Sequence, residues 1–133
     1  MDALGSLTHD KAQRSYLITC SQVDPSILPS KEVFSQAVLT AFQRCGGAAQ
    51  PEYWCTAADT HEDGSLDFNM VVKLSLPRKW KAVKDFLFQD AAIVVDFAEG
   101  HASYSSGYQY VTKVDPQPLH SVPHPNFVPI TLN

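Results

Sequence analysis

The run Leu66-Asp67-Phe68-Asn69-Met70-Val71-Val72-Lys73-Leu74, set behind Asp63-Gly64, constrains the fold more than any other stretch. Leu66, Phe68, Met70, Val72 and Leu74 alternate with Asp67, Asn69, Val71 and Lys73. A period of two is that of a strand with one buried face. Asp63-Gly64 is a hairpin signal, and residues 52–59 before it read as the partner strand. On the unburied face Asp67 and Asn69 lie roughly 6–7 Å apart, at ~3.3 Å per residue. Two oxygen donors at that spacing can pinch one hard cation. A solvated polar face is the competing reading.

Other elements follow from the same kind of pattern. Residues 1–14 read as a flexible lead-in and 15–22 as the first strand. Ser30 is a candidate helix N-cap. Val33, Phe34, Ala37, Val38, Ala41, Phe42 and Cys45 then recur at helical spacing until Gly46-Gly47. Pro77 suits the first turn of a helix over 77–89, with Trp80, Val83 and Leu87 inward. The β-branched run in 91–97 predicts a fourth strand, and residues 103–113 a last helix. Five of the nine prolines fall in residues 116–129, which predicts an extended tail over 116–133. The order β-α-β-β-α-β-α predicts one α+β domain over residues 15–115. It would be a split-βαβ, ferredoxin-like sandwich with a mainly antiparallel sheet of four to five strands.

A chain of 133 residues, 44% of them hydrophobic, is enough for one ordinary core. The net charge of −4 does not advertise nucleic-acid binding, so any such attraction must come from a local patch. One is present: Arg78, Lys79, Lys81 and Lys84 surround Trp80. That patch reads either as a solvated helix face or as a surface for phosphates and base stacking. The three cysteines, Cys20, Cys45 and Cys55, have no zinc or disulfide spacing and read as core thiols of a reducing compartment. The first 14 residues carry no apolar signal-peptide region, and no apolar run reaches the ~18–20 residues that span a bilayer. The expectation is an intracellular protein, nuclear or cytoplasmic, with no membrane partner.

The chemistry is sharpest at Tyr108-Gln109-Tyr110-Val111-Thr112-Lys113. On a helix, Tyr110 and Lys113 share a face. A tyrosine beside a lysine can attack phosphorus, the lysine favouring the phenolate and neutralising phosphate charge. The plain alternative is a half-buried helix aromatic next to a solvated charge. Tyr108 lies two residues from Tyr110 and so faces elsewhere. His61 sits at the hairpin tip, where a solvated polar loop is the default. His101, His120 and His124 fall in loop-like sequence.

The order of these parts resembles the HUH endonuclease domain of rolling-circle replication initiators. The nearest flavour is the Rep-type proteins of small circular DNA viruses and their relatives in animal genomes. The resemblance spans residues 15–125. It rests on the strand Tyr16-Leu17-Ile18-Thr19-Cys20-Ser21, the triplet Asp67-Phe68-Asn69, the segment Arg78-Lys79-Trp80 and the motif Tyr110-Val111-Thr112-Lys113. The family carries two histidines around a hydrophobic residue where this chain has Asp67 and Asn69, and its upstream acid falls on Asp59. The resemblance implies that Tyr110 attacks a phosphodiester of single-stranded or hairpin DNA, with Lys113 as its electrostatic partner. It implies a divalent metal on Asp59, Asp67 and Asn69. An all-oxygen set favours Mg²⁺ or Mn²⁺. Arg78, Lys79, Trp80, Lys81 and Lys84 would hold DNA, and further domains of a longer chain could follow. Loss of both histidines leaves a second expectation, a domain that binds DNA or a protein partner without nicking. Turn geometry decides whether Asp59 belongs. A two-residue Asp63-Gly64 turn would put it on the opposite face from Asp67, whereas an odd-numbered loop or a bulge would pair Asp59 with Asn69.

Overall fold

The computed structural model describes residues 12–45, 47–99 and 104–121. The predicted lead-in up to residue 11, His101, His124 and the tail from 122 onward lie outside the described residues. The elements are β1 (Gln13–Cys20), α1 (Lys31–Cys45), β2 (Pro51–Thr60), β3 (Leu66–Arg78), α2 (Lys81–Ala91), β4 (Asp96–Glu99), α3 (Tyr104–Thr112) and β5 (Leu119–His120). The sheet order is β4-β1-β3-β2-β5, every neighbouring pair antiparallel. The fold is thus the α+β split-βαβ sandwich expected. β1 and β2 flank β3, and each is joined to its neighbours in sequence by a helix or a hairpin.

The alternation in β3 decides the layering. Phe68, Met70, Val72 and Leu74 enter the main core with Tyr16 and Ile18 of β1, Phe34, Val38, Ala41 and Phe42 of α1, and Val83 and Leu87 of α2. Phe34 stacks on Phe68 with ring centroids 5.6 Å apart. Val71 turns to the opposite face, where a smaller core joins Leu17, Cys55 and Ala57 to Tyr104 and Val111 of α3. Ser30 caps α1 as expected, its Oγ accepting the N–H of Val33 at 3.2 Å. Val33 itself, expected inward, is 41% exposed. All three cysteines are free, and burial pushes the Cys55 thiol up to about 12.

Three boundaries differ from expectation. Pro77 does not open a helix: β3 continues to Arg78, which pairs with Gln13, and α2 starts at Lys81. The ladder is irregular between Gln13 and Ser15. Arg14 takes up the slack, its guanidinium donating to the carbonyls of Leu74 at 3.4 Å and Ser75 at 3.1 Å. A proline is tolerated where the ladder asks for no N–H. The expected strand over 91–97 shrinks to Asp96–Glu99. Ala92 adopts a left-handed conformation (φ 58°), and the N–H groups of Ala92 and Ile93 bond the carbonyls of Phe88 and Leu87. That helix C-cap buries Ile93 and Val95 below α2 before strand pairing begins.

The third difference is the tail. Leu119 and His120 form β5 against Thr56 and Cys55, and the Ser121 N–H reaches the Trp54 carbonyl at 3.0 Å. Asp115 fastens this crossing. Its Oδ2 accepts Lys31 Nζ at 2.9 Å and the Ala58 N–H at 2.8 Å, while Oδ1 accepts the Gln117 N–H at 2.9 Å. Burial pushes the Asp115 carboxyl up, but these donors more than offset it and hold it below the usual carboxylate range. Asp115→Ala leaves the Ala58 and Gln117 N–H groups without their acceptor and removes the countercharge of Lys31, whose ammonium keeps the Gln117 carbonyl; it is expected to cost about 2–3 kcal/mol. A depressed carboxyl stabilises the fold above its unfolded-state pKa. The contribution is lost as pH falls through the lower folded value. Melting curves of wild type and Asp115→Ala should therefore diverge at neutral pH and converge in acid.

Candidate functional site

The hairpin settles which acidic residues meet. His61 N–H bonds the Ser65 carbonyl at 2.8 Å, and Gly64 takes φ 89°, a value glycine adopts without a Cβ penalty. The loop is odd-numbered, so Thr60 pairs with Leu66 and Asp59 with Asp67. Asp59 therefore shares a face with Asp67 and Asn69, although its direct partner is Asp67; Ala57 is the residue opposite Asn69. Phe68 between them points into the main core. The face they share is the one that α3 covers, because Val71 and Ala57 on it touch that helix's core.

Asp67 and Asn69 already have protein partners. Asp67 Oδ1 accepts the Gln22 N–H at 2.9 Å, and Asp67 Oδ2 lies 3.0 Å from His61 Nε2. Gln22 adopts φ 51°, a left-handed conformation uncommon for a residue with a Cβ. Thr19 Oγ1 donates to Asn69 Oδ1 at 2.9 Å, across the β1–β3 register that sets Thr19 opposite Asn69. Among the described residues, no three His, Cys, Asp or Glu side chains converge as a metal-ligating group. The donor types, two carboxylates and an amide beside an imidazole, suit a hard cation. Their present hydrogen bonds would have to be shared or exchanged to admit one.

His61 was not an obvious member of this cluster. Its hydrogen bond to Asp67 raises its pKa; desolvation opposes the rise, and the charges of Asp67, Asp59 and Asp63 add to it. A raised histidine stabilises the fold below its unfolded-state value of ~6.5, and the contribution fades as pH rises through the folded value. An NMR titration should show the His61 ring titrating above an ordinary histidine. Asp67→Asn should return it to the ordinary range; an unshifted His61 in wild type would show that the pair does not form.

The position of α3 follows from its two ends. Tyr104 packs edge-on against Tyr53 with centroids 4.7 Å apart, and Asp115, just past the helix, meets Ala58. α3 therefore runs along β2 towards the Asp59 end of the sheet, carrying Tyr110 and Lys113 in that direction. Tyr104, Gly107 and Val111 are its buried residues. Tyr108 packs at the edge of the smaller core with Tyr53. Tyr110 lies about 200° further round the helix, on the other flank, and is 50% exposed. Lys113 sits in the turn after the helix, its N–H 3.4 Å from the Tyr110 carbonyl, rather than on the helix as expected.

The basic patch is a different matter. Trp80 is only 8% exposed and stacks on Phe97 at 5.8 Å, so it serves the core and is not presented for base stacking. Arg78 donates from Nη2 to the Cys45 carbonyl at the end of α1. Lys81 pairs with Asp85 at 3.1 Å; Lys84 lies 3.9 Å from Asp96 and 5.5 Å from the Trp80 ring centre. Lys79 is exposed. The helix α2 that bears Lys81 and Lys84 covers the face of the sheet opposite to α3.

The chain matches no protein-family model, and no curated protein matches it. No described helix is long and apolar enough to cross a membrane.

Proposed function

We propose that this chain is a Rep-like HUH domain that acts on single-stranded DNA at the face of the sheet beneath α3. The supporting observation is that β3 directs Asp67 and Asn69 to the same side as the helix bearing Tyr110, with Asp59 beside them. Nucleophile and oxygen donors on one side is what the chemistry requires. In this reading the Tyr110 hydroxyl loses its proton, and the phenolate oxygen attacks phosphorus in a DNA phosphodiester. A phosphotyrosine bond forms at the 5′ side, the P–O3′ bond breaks, and the leaving 3′ oxygen takes up a proton. Lys113 offsets negative charge near the attacking oxygen. Asp59, Asp67 and Asn69 would hold Mg²⁺ or Mn²⁺, which when bound would draw charge from the scissile phosphate. Thr19 and Gln22 orient Asn69 and Asp67. Labelled single-stranded DNA incubated with the protein and Mn²⁺ should give a covalent adduct on a denaturing gel.

A second reading, DNA binding or protein interaction without nicking, is favoured by one observation: both Asp67 oxygens are already engaged, by Gln22 and His61. The double substitution Asp67→His with Asn69→His separates the two. A working but weak site should nick better at low Mn²⁺ once it carries imidazoles. A site remodelled away from catalysis should gain nothing, and absence of adduct from both proteins would end the nicking reading.

A further inference from the structure

We infer that single-stranded DNA is anchored at the α3 face by Tyr53 and Lys73, away from the Tyr110 end, and not by the basic segment around Trp80; this rests on the DNA reading above. Four of the five tyrosines, Tyr53, Tyr104, Tyr108 and Tyr110, gather on this side of the sheet. Tyr104 is buried and forms a floor on which the half-buried Tyr53 stands edge-on. Lys73 is the register partner of both Tyr53 and Ser15, on the face it shares with Val71, Asn69 and Asp67. Directly opposed residues of an antiparallel pair hold their Cβ atoms ~5 Å apart, so the Lys73 stem leaves the sheet next to Tyr53. That pairing matches one nucleotide, phosphate to the lysine and base to the ring.

Charge points the same way. Lys73 forms no ion pair with another described residue, whereas Lys81 and Lys84 are each set against an aspartate. The far end of the α3 face carries Asp59 and Asp67, which repel a phosphate chain. A strand reaching Tyr110 therefore needs a cationic anchor on the same side, and Lys73 lies six residues, ~20 Å, along β3 from Asp67. The basic residues of α2 cannot serve a strand on this side without its passing round the edge of the sheet.

Fluorescence anisotropy of the full chain with a labelled mixed-sequence single-stranded oligonucleotide tests the assignment. Tyr53→Leu and Lys73→Glu are each expected to weaken binding about tenfold or more. Lys73→Glu should also lower the salt dependence by about one unit of log–log slope. In parallel, wild-type protein is photo-crosslinked to the same oligonucleotide carrying 5-bromodeoxyuridine, and the linked peptides are mapped. Crosslinks at Tyr53 or Lys73, or at the Tyr104 end of α3, support the anchor even if a variant fails to fold; crosslinks confined to Tyr110 overturn it. Binding that survives both substitutions, with crosslinks in residues 78–84, overturns the anchor and leaves the DNA reading standing. No binding by wild type at low salt with Mg²⁺ or Mn²⁺ overturns both.

Discussion

Tyr110→Phe is expected to remove every trace of covalent DNA adduct while leaving oligonucleotide binding nearly unchanged. The substitution deletes one oxygen from a half-exposed ring, outside the residues that α3 buries. Stability should move by about 1 kcal/mol or less, the scale of a single hydrogen bond. An effect on chemistry alone is then the signature of a nucleophile. Tyr108→Phe supplies the contrast. Tyr108 faces the smaller core beside Tyr53, where burial raises its pKa and disfavours the phenolate. It should keep its adduct. If Tyr108→Phe loses the adduct and Tyr110→Phe retains it, the nucleophile has been assigned to the wrong flank of the helix.

Phe68→Ala should have the largest effect on stability, about 3–5 kcal/mol. Phe68 is fully enclosed and stacked on Phe34, so truncation leaves a cavity between the sheet and α1. A domain of this size has about 5–15 kcal/mol in all, so this one truncation removes a large share of it. Asp67→Ala and Asn69→Ala, the residues on either side, should each cost only about 1 kcal/mol, since they lose hydrogen bonds but no packing. Urea denaturation of the three variants would trace the period of two directly. Equal losses at all three positions would mean that the hairpin is not a two-faced element.

The same alternation explains how much of the molecule was legible in its sequence. Period-two and helical patterns draw on side-chain burial, and they located β3, α1 and the inward residues Trp80, Val83 and Leu87. They also placed Asp67 and Asn69 on one face. What they missed depends on partners distant in the chain. β3 runs on through Pro77 because Gln13 and Arg14 support it from sixty residues away. Leu119 and His120 look like part of a proline-rich tail until β2 offers them an edge. Ile93 and Val95 have strand-like alternation, but the cap at Ala92 uses them to pack against the helix first. At the site, the types of residue were readable but their bonds were not. Nothing local to His61 says that Asp67 will face it, since that requires the loop length to fix the register. Trp80 amid lysines suggested a stacking surface, yet an indole flanked by inward-facing Val83 served the core instead.

The unequal thickness of the two cores has a consequence for motion. The side with α1 and α2 buries many large aromatic and aliphatic residues, whereas α3 rests on Leu17, Cys55, Ala57 and Val71, with the half-buried Tyr53 at their edge. Separating a helix from this smaller core takes less free energy than separating the sheet from the other layer. Amide hydrogens of α3 should therefore exchange with solvent through local openings well before those at the centre of β1 and β3. Each such opening would bare the strand face that carries Asp67 and Asn69 while the rest of the fold stays closed, so access to that face and the integrity of the protein are governed by separate equilibria.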